Sequence, residues 1–123
     1  VVRVLYVDDE PDIREVASLS LSLDSELEVR TAASGHEALS QANGWLPDII
    51  LLDVMMPELD GLATLGRLRD GEATKNIPVV FITARTQTHE VERFRSLGAA
   101  GVIPKPFDPM TLSALVRSFL PLR

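Results

Sequence analysis

The sequence predicts one α/β domain, a doubly wound parallel sheet of five strands with five helices on its two faces. Three observations point there. A unit of strand, turn and helix recurs about five times along 123 residues. The third and fourth strand candidates are continuous apolar runs rather than alternating ones, as in strands buried on both faces of a parallel sheet. The length suits a single domain spanning residues 1–123, and 46% hydrophobic against 24% charged residues supplies a core.

The elements follow in order. Strands are read at Val2–Val7, Leu27–Ala32, Asp48–Leu52, Pro78–Thr83 and Ala100–Pro104. Ile13, Val16, Ala17, Ser20 and Leu21 repeat at helical spacing behind Pro11, which suits a first helical turn. Ser34-Gly35-His36-Glu37 has the form of a capping box, and Gly44 is expected to end that helix. Trp45 is expected to be a packing residue in the loop before Pro47. Asp60-Gly61 opens a third helix carrying Leu62 and Leu65 and stopping near Gly71. Val91, Phe94 and Leu97 mark a fourth, closed by Gly98. Asp108-Pro109 is expected to cap a fifth, with Leu112, Leu115, Val116, Phe119 and Leu120 on its buried face.

Charge and composition exclude several functions. Twelve basic against eighteen acidic residues give a net charge of −6, which argues against binding a phosphate backbone directly. No apolar run reaches the ~18–20 residues of a membrane helix. No secretory leader is read in Val1–Val4, and Val1 in place of methionine is expected of either a trimmed stand-alone chain or an excised domain. The absence of cysteine removes disulfides and thiolate chemistry and accords with a cytoplasmic setting.

In a doubly wound sheet, ligands sit beyond the carboxyl ends of the strands, near the point where strand order reverses. The strand ends here carry Asp8, Asp9 and Glu10 after the first strand, Asp53 after the third, Thr83 after the fourth and Lys105 after the fifth. A lone aspartate there is usually a cap or turn residue. Asp8 and Asp9 together exceed what one helix needs. Two carboxylates about 4 Å apart repel by roughly 4 kcal/mol at an effective dielectric of 20. That cost makes sense where a divalent cation enters. The ligands are all hard oxygens and neither histidine falls at a strand end, so Mg²⁺ fits and zinc does not. Beside Mg²⁺, a lysine and a threonine can bind two oxygens of a phosphoryl group, with the remaining carboxylate as nucleophile.

These residues carry a resemblance. Val7-Asp8-Asp9-Glu10, Asp53-Val54-Met55-Met56-Pro57 with Asp60-Gly61, Ile82-Thr83-Ala84, and Gly98-Ala99 through Lys105-Pro106-Phe107 are each weak signals but specific in combination. Over roughly Val2 to Leu120 the chain resembles the receiver domain of two-component response regulators, of the chemotaxis-regulator type. The resemblance implies a flavodoxin-like fold with strand order 2-1-3-4-5 and a phosphorylation-activated signalling switch. It implies Asp53 as phosphoacceptor, and Asp8, Asp9, Asp53 and the Met55 backbone carbonyl as holders of Mg²⁺, with Mn²⁺ as a substitute. Thr83 is implied as the switch hydroxyl and Lys105 as the phosphoryl-binding ammonium, before a cis Lys105-Pro106 bond. The implied partners are a histidine kinase or histidine phosphotransfer protein and a downstream effector or fused output domain, with no nucleic acid or membrane contact. Such a domain has no dedicated metabolic activity but catalyses its own phosphoryl transfer and its own aspartyl-phosphate hydrolysis.

The chain also departs from the pattern. Val102 stands where many receivers carry a switch aromatic, and Ala100-Gly101 replaces an acidic pair used in one dimerisation mode. A pseudo-receiver that ignores phosphate is the alternative that Val102 keeps open. A phosphohydrolase of the aspartyl-phosphate type commonly needs a second aspartate two residues after the nucleophile, where Met55 stands. A flavin site would need a hydroxyl- and glycine-rich phosphate loop where Asp8-Asp9-Glu10 lies. His36, His89, Arg93 and Arg95 read as surface residues, and Leu59 and Met56 as either turn packing or part of a docking surface.

Overall fold

A computed structural model describes residues 1–120; Pro121, Leu122 and Arg123, the end of the expected 1–123 domain, lie outside the described residues. The elements alternate as β1 (Val2–Val7), α1 (Pro11–Ser22), β2 (Leu27–Ala32), α2 (Gly35–Trp45), β3 (Ile49–Asp53), α3 (Gly61–Asp70), β4 (Val79–Thr83), α4 (Thr88–Ser96), β5 (Gly101–Pro104) and α5 (Leu112–Ser118). All pairings are parallel and the sheet order is β2-β1-β3-β4-β5. The chain leaves β1 toward β2 and then crosses back to β3 on the other side. The reversal point therefore lies between β1 and β3, where Asp8 and Asp53 emerge.

Strand alternation divides the core in two. Leu5, Val7, Ile50, Leu52, Val79 and Phe81 face the side covered by α2, α3 and α4. Val4, Tyr6, Ile49, Leu51, Val80, Ile82 and Ile103 face the side of α1 and α5. Every residue of β3 and β4 is buried, as their unbroken apolar runs require. Pro104 falls in β5, an edge strand, where a missing N–H costs little.

The starts of α2 and α3 follow their capping residues, while one helix end and one helix start depart from expectation. The Ser34 side chain accepts from the Glu37 N–H, and Glu37 in turn accepts from Ala33 N–H rather than from Ser34. Asp60 accepts from Ala63 N–H to open α3, and Gly71 closes it. Gly44, however, does not end α2. The helix runs through Trp45, and Leu46 takes the left-handed terminal position at φ 54° ahead of Pro47. Proline disfavours helical geometry in the residue before it, so the stop is set by Pro47 rather than by glycine. Trp45 is thus a core residue of the last helical turn, 6% exposed, with the Arg30 guanidinium 4.6 Å from its ring centre.

Asp108 does not cap α5 either. Its carboxylate accepts from Met110 N–H, closing a turn of its own, and the helix begins only at Leu112. The fourth helix buries Phe94 alone, while Leu97 stays 47% exposed beyond its end, and Gly98 closes it at φ 106°. Among the described residues no helix is long and apolar enough to cross a membrane.

Candidate functional site

Each strand end delivers one group to the same edge. Asp8 follows β1 with its side chain wholly buried, and Asp53 closes β3 at 3% exposure. Asp9, more open to solvent, joins them: one carboxylate oxygen from each of the three lies within 4.8 Å of the others. Asp53 is held from behind. One of its oxygens accepts from the Met55 N–H at 3.1 Å, and its backbone carbonyl leaves no room for a side chain on Gly61, whose added Cβ would lie 2.4 Å away.

Lys105 reaches this cluster from the end of β5. Its Nζ lies 3.1 Å from Asp8 Oδ2, 3.3 Å from Asp53 Oδ2 and 3.7 Å from Glu10 Oε1. Its backbone N–H is tied to the Thr83 carbonyl at 2.9 Å, and the Lys105-Pro106 bond is cis, as the resemblance implies. Thr83, 3% exposed, ends β4 one residue beyond Ile82, the register partner of Asp53. Its hydroxyl oxygen accepts from the Arg85 N–H at 3.0 Å, which leaves its own proton to donate.

The charges do not balance. Burial, and then the negative charge of Asp8, push the Asp53 carboxyl up to about 6, against the opposing pull of the Met55 N–H and Lys105. Burial works to lower the Lys105 ammonium pKa, but Asp8 and Asp53 together hold it above its ordinary value. The donor set is entirely carboxylate oxygen, the chemistry of a site for a small hard dication.

The structure thus brings Asp8, Asp9, Asp53 and Lys105 together and sets Thr83 and Met55 at the same edge. Two partners of Asp8 are absent from the sequence reading. Tyr6 donates its hydroxyl to Asp8 Oδ2 at 3.1 Å, and the Arg14 guanidinium donates to the Asp8 carbonyl at 2.9 Å. Residues i and i+2 of a strand share a face, so the spacing from Tyr6 to Asp8 carried the first of these signals. His36 and His89 lie exposed on α2 and α4, and Arg93 and Arg95 are solvated. Met56 and Leu59 are each only 7% exposed and pack the turn after β3. Val102 is partly buried against the core that contains Phe81 and Phe94.

A family model of the response regulator receiver domain matches residues 4–117. The chain is 37% identical over 119 residues to Response regulator Rre1 of Synechocystis sp., covering 97% of this chain and 52% of that protein. It is 44% identical over 118 residues to Response regulator PleD of Caulobacter vibrioides, covering 94% of this chain and 25% of that protein. It therefore spans about half the length of the first and a quarter of the second. Among solved structures, the chemotaxis response regulator CheY4 of Vibrio cholerae superposes with a TM-score of 0.90 at 35% identity, covering 98% of this chain and 99% of that one. The matched range takes in both the acidic turn after β1 and the lysine after β5, and the chain belongs to the response regulator receiver domains, the phosphorylation-activated switches of two-component systems.

Proposed function

We propose that Asp53 is the residue phosphorylated in this receiver, with Mg²⁺ held by Asp8, Asp9, Asp53 and the Met55 carbonyl. One observation carries the reading: a buried carboxylate pushed up to about 6 lies 3.3 Å from an ammonium and within 4.8 Å of two further carboxylates. Such an arrangement costs stability on its own and serves a cation and a phosphoryl group. Mg²⁺ held there would supply positive charge that offsets the crowding of ionised Asp53 by Asp8 and draws charge from the phosphoryl oxygens.

The chain's own groups do the rest. An Asp53 oxygen bonds to phosphorus as the P–N bond of a donor phosphohistidine breaks, and the electron pair leaves with the imidazole. Lys105 neutralises charge on the equatorial oxygens, and the Thr83 hydroxyl donates its free proton to one of them. Attack of water on the acyl phosphate then resets the domain. The unit carrying this chemistry is a single domain over residues 1–123.

The donor is a histidine kinase or histidine phosphotransfer protein, which places the domain in the cytoplasm. Lys105 borders the site on one side and, on the other, an apolar groove lined by Ile13, Val16, Phe107 and Pro109. That groove gives a donor protein a seat beside Lys105. The receiver acts on a downstream effector or a fused output domain, and a net charge of −6 speaks against direct nucleic acid contact.

Intact-mass measurement after incubation with acetyl phosphate tests the chemistry. A gain of one phosphoryl group is expected with Mg²⁺, with none in chelator and none in Asp53→Asn. No gain, with phosphoramidate also failing, would favour a receiver-shaped interaction module that ignores phosphate.

A further inference from the structure

Tyr6 is the one tyrosine in the chain, and it sits where an apolar residue would satisfy the fold. It lies on an interior strand of the sheet, paired with Thr31 on one side and Leu51 on the other, and is 0% exposed. Its same-face neighbours in the core include Val4, Ile49, Leu51 and Ile82. Burying a hydroxyl among such residues is unfavourable unless it finds a partner. The partner is the carboxylate of Asp8, at 3.1 Å. The ring cannot easily turn away, because Phe107 packs edge-on against it at 6.2 Å between centres.

Asp8 is thereby nearly filled. Its Oδ2 receives Tyr6 and Lys105, each at 3.1 Å, and its Oδ1 receives the Glu10 N–H at 3.0 Å. A carboxylate offers about four acceptor positions. Three are taken, by a phenol anchored in the core, an ammonium from β5 and the backbone of the turn. Lys105 is shared with Asp53 and Glu10, so it does not by itself define how the Asp8 carboxylate is turned. Among the described residues the phenol donates to Asp8 alone, and so does define it.

We propose that Tyr6 is a positioning residue for the cation site: its hydroxyl fixes the orientation of the Asp8 carboxylate, so that the remaining acceptor capacity stays directed at the cluster with Asp9 and Asp53. This rests on the reading of Asp8 as a holder of Mg²⁺. Outer partners of metal-binding carboxylates commonly change affinity by about 10–100-fold when removed.

Calorimetric titration of Mg²⁺ into the chain and into Tyr6→Phe, which deletes only the hydroxyl, is the first arm. Tyr6→Phe is expected to weaken Mg²⁺ binding about tenfold. The second arm is the near-ultraviolet difference spectrum of the lone tyrosine. Mg²⁺ is expected to shift that band with the same midpoint as the calorimetric curve, and Asp8→Asn to shift it with no metal present. A ring that merely packs would give neither shift. Equal Mg²⁺ affinity in the original chain and Tyr6→Phe would overturn the proposal while leaving the cation reading intact. No Mg²⁺ binding by the unsubstituted chain would overturn both. If Tyr6→Phe fails to fold, an unshifted tyrosine band in Asp8→Asn overturns the proposal independently.

Discussion

Two ion-pair clusters tie distant parts of this chain together, and they push their carboxylates in opposite directions. At the sheet edge one ammonium, Lys105, faces Asp8, Asp53 and Glu10, and the Asp53 carboxyl rises to about 6. At the far end of α1, Arg117 of α5 grips Asp24 through two hydrogen bonds of 2.6 and 2.9 Å. There the Arg117 hydrogen bonds hold the Asp24 carboxyl below its ordinary value. One guanidinium on one carboxylate leaves no charge over, and both side chains reach water. One ammonium among three carboxylates, two of them buried, leaves charge that only a further cation can offset. The comparison separates a relaxed pair, which fastens α5 to the turn after α1, from a frustrated cluster, which the fold holds open for chemistry.

The largest effect should come from removing the ammonium of the frustrated cluster. Lys105→Ala is expected to abolish phosphoryl uptake and to cost about 2 kcal/mol of stability in chelator. That is below the full penalty of breaking a buried pair, because a fifth of the lysine side chain stays in water. Urea unfolding measures the loss, and carboxyl NMR should find Asp53 titrating above its original value. A variant that still takes up phosphate at the original rate would remove Lys105 from the site.

The relaxed pair should give the smallest effect. Arg117→Ala is expected to leave phosphoryl uptake unchanged and to lower the melting temperature slightly, by an amount that shrinks further in high salt. A loss of uptake in this variant would mean that the two clusters are coupled through α5 rather than independent.

Most of the fold was legible because local rules and the sheet agree. The apolar runs of β3 and β4, the Asp60 cap and Pro11 at the head of α1 each point to the same βα repeat. The misses lie where a neighbour overrules a local signal. Pro47 moved the end of α2 past Gly44, and the turn closed by Asp108 delayed α5. That Asp8, Asp9, Asp53, Thr83 and Lys105 share one edge was legible from the strand ends, since parallel strands deliver their last residues to one side, whereas Met55 and the roles of all six came only with the resemblance. How Asp8 is held was not. Tyr6 reads as one more apolar strand residue until its hydroxyl is traced, and Arg14 reads as an ordinary polar position of α1.

Asp53 ionises at neutral pH against its own surroundings, and thermal unfolding of Asp53→Asn beside the original chain in chelator tests this directly. With a folded value of about 6 against 3.8 in the unfolded chain, Asp53 favours the folded state below about pH 4 and loses that contribution as pH rises through 6. The shift amounts to about 2 kcal/mol after allowance for solvent screening. Asp53→Asn should therefore melt roughly 5–10 °C higher than the original chain at pH 7. The gap should close as pH falls toward 4. An unchanged or lower melting temperature for Asp53→Asn at pH 7 would contradict the claim that these carboxylates are crowded for a cation to relieve.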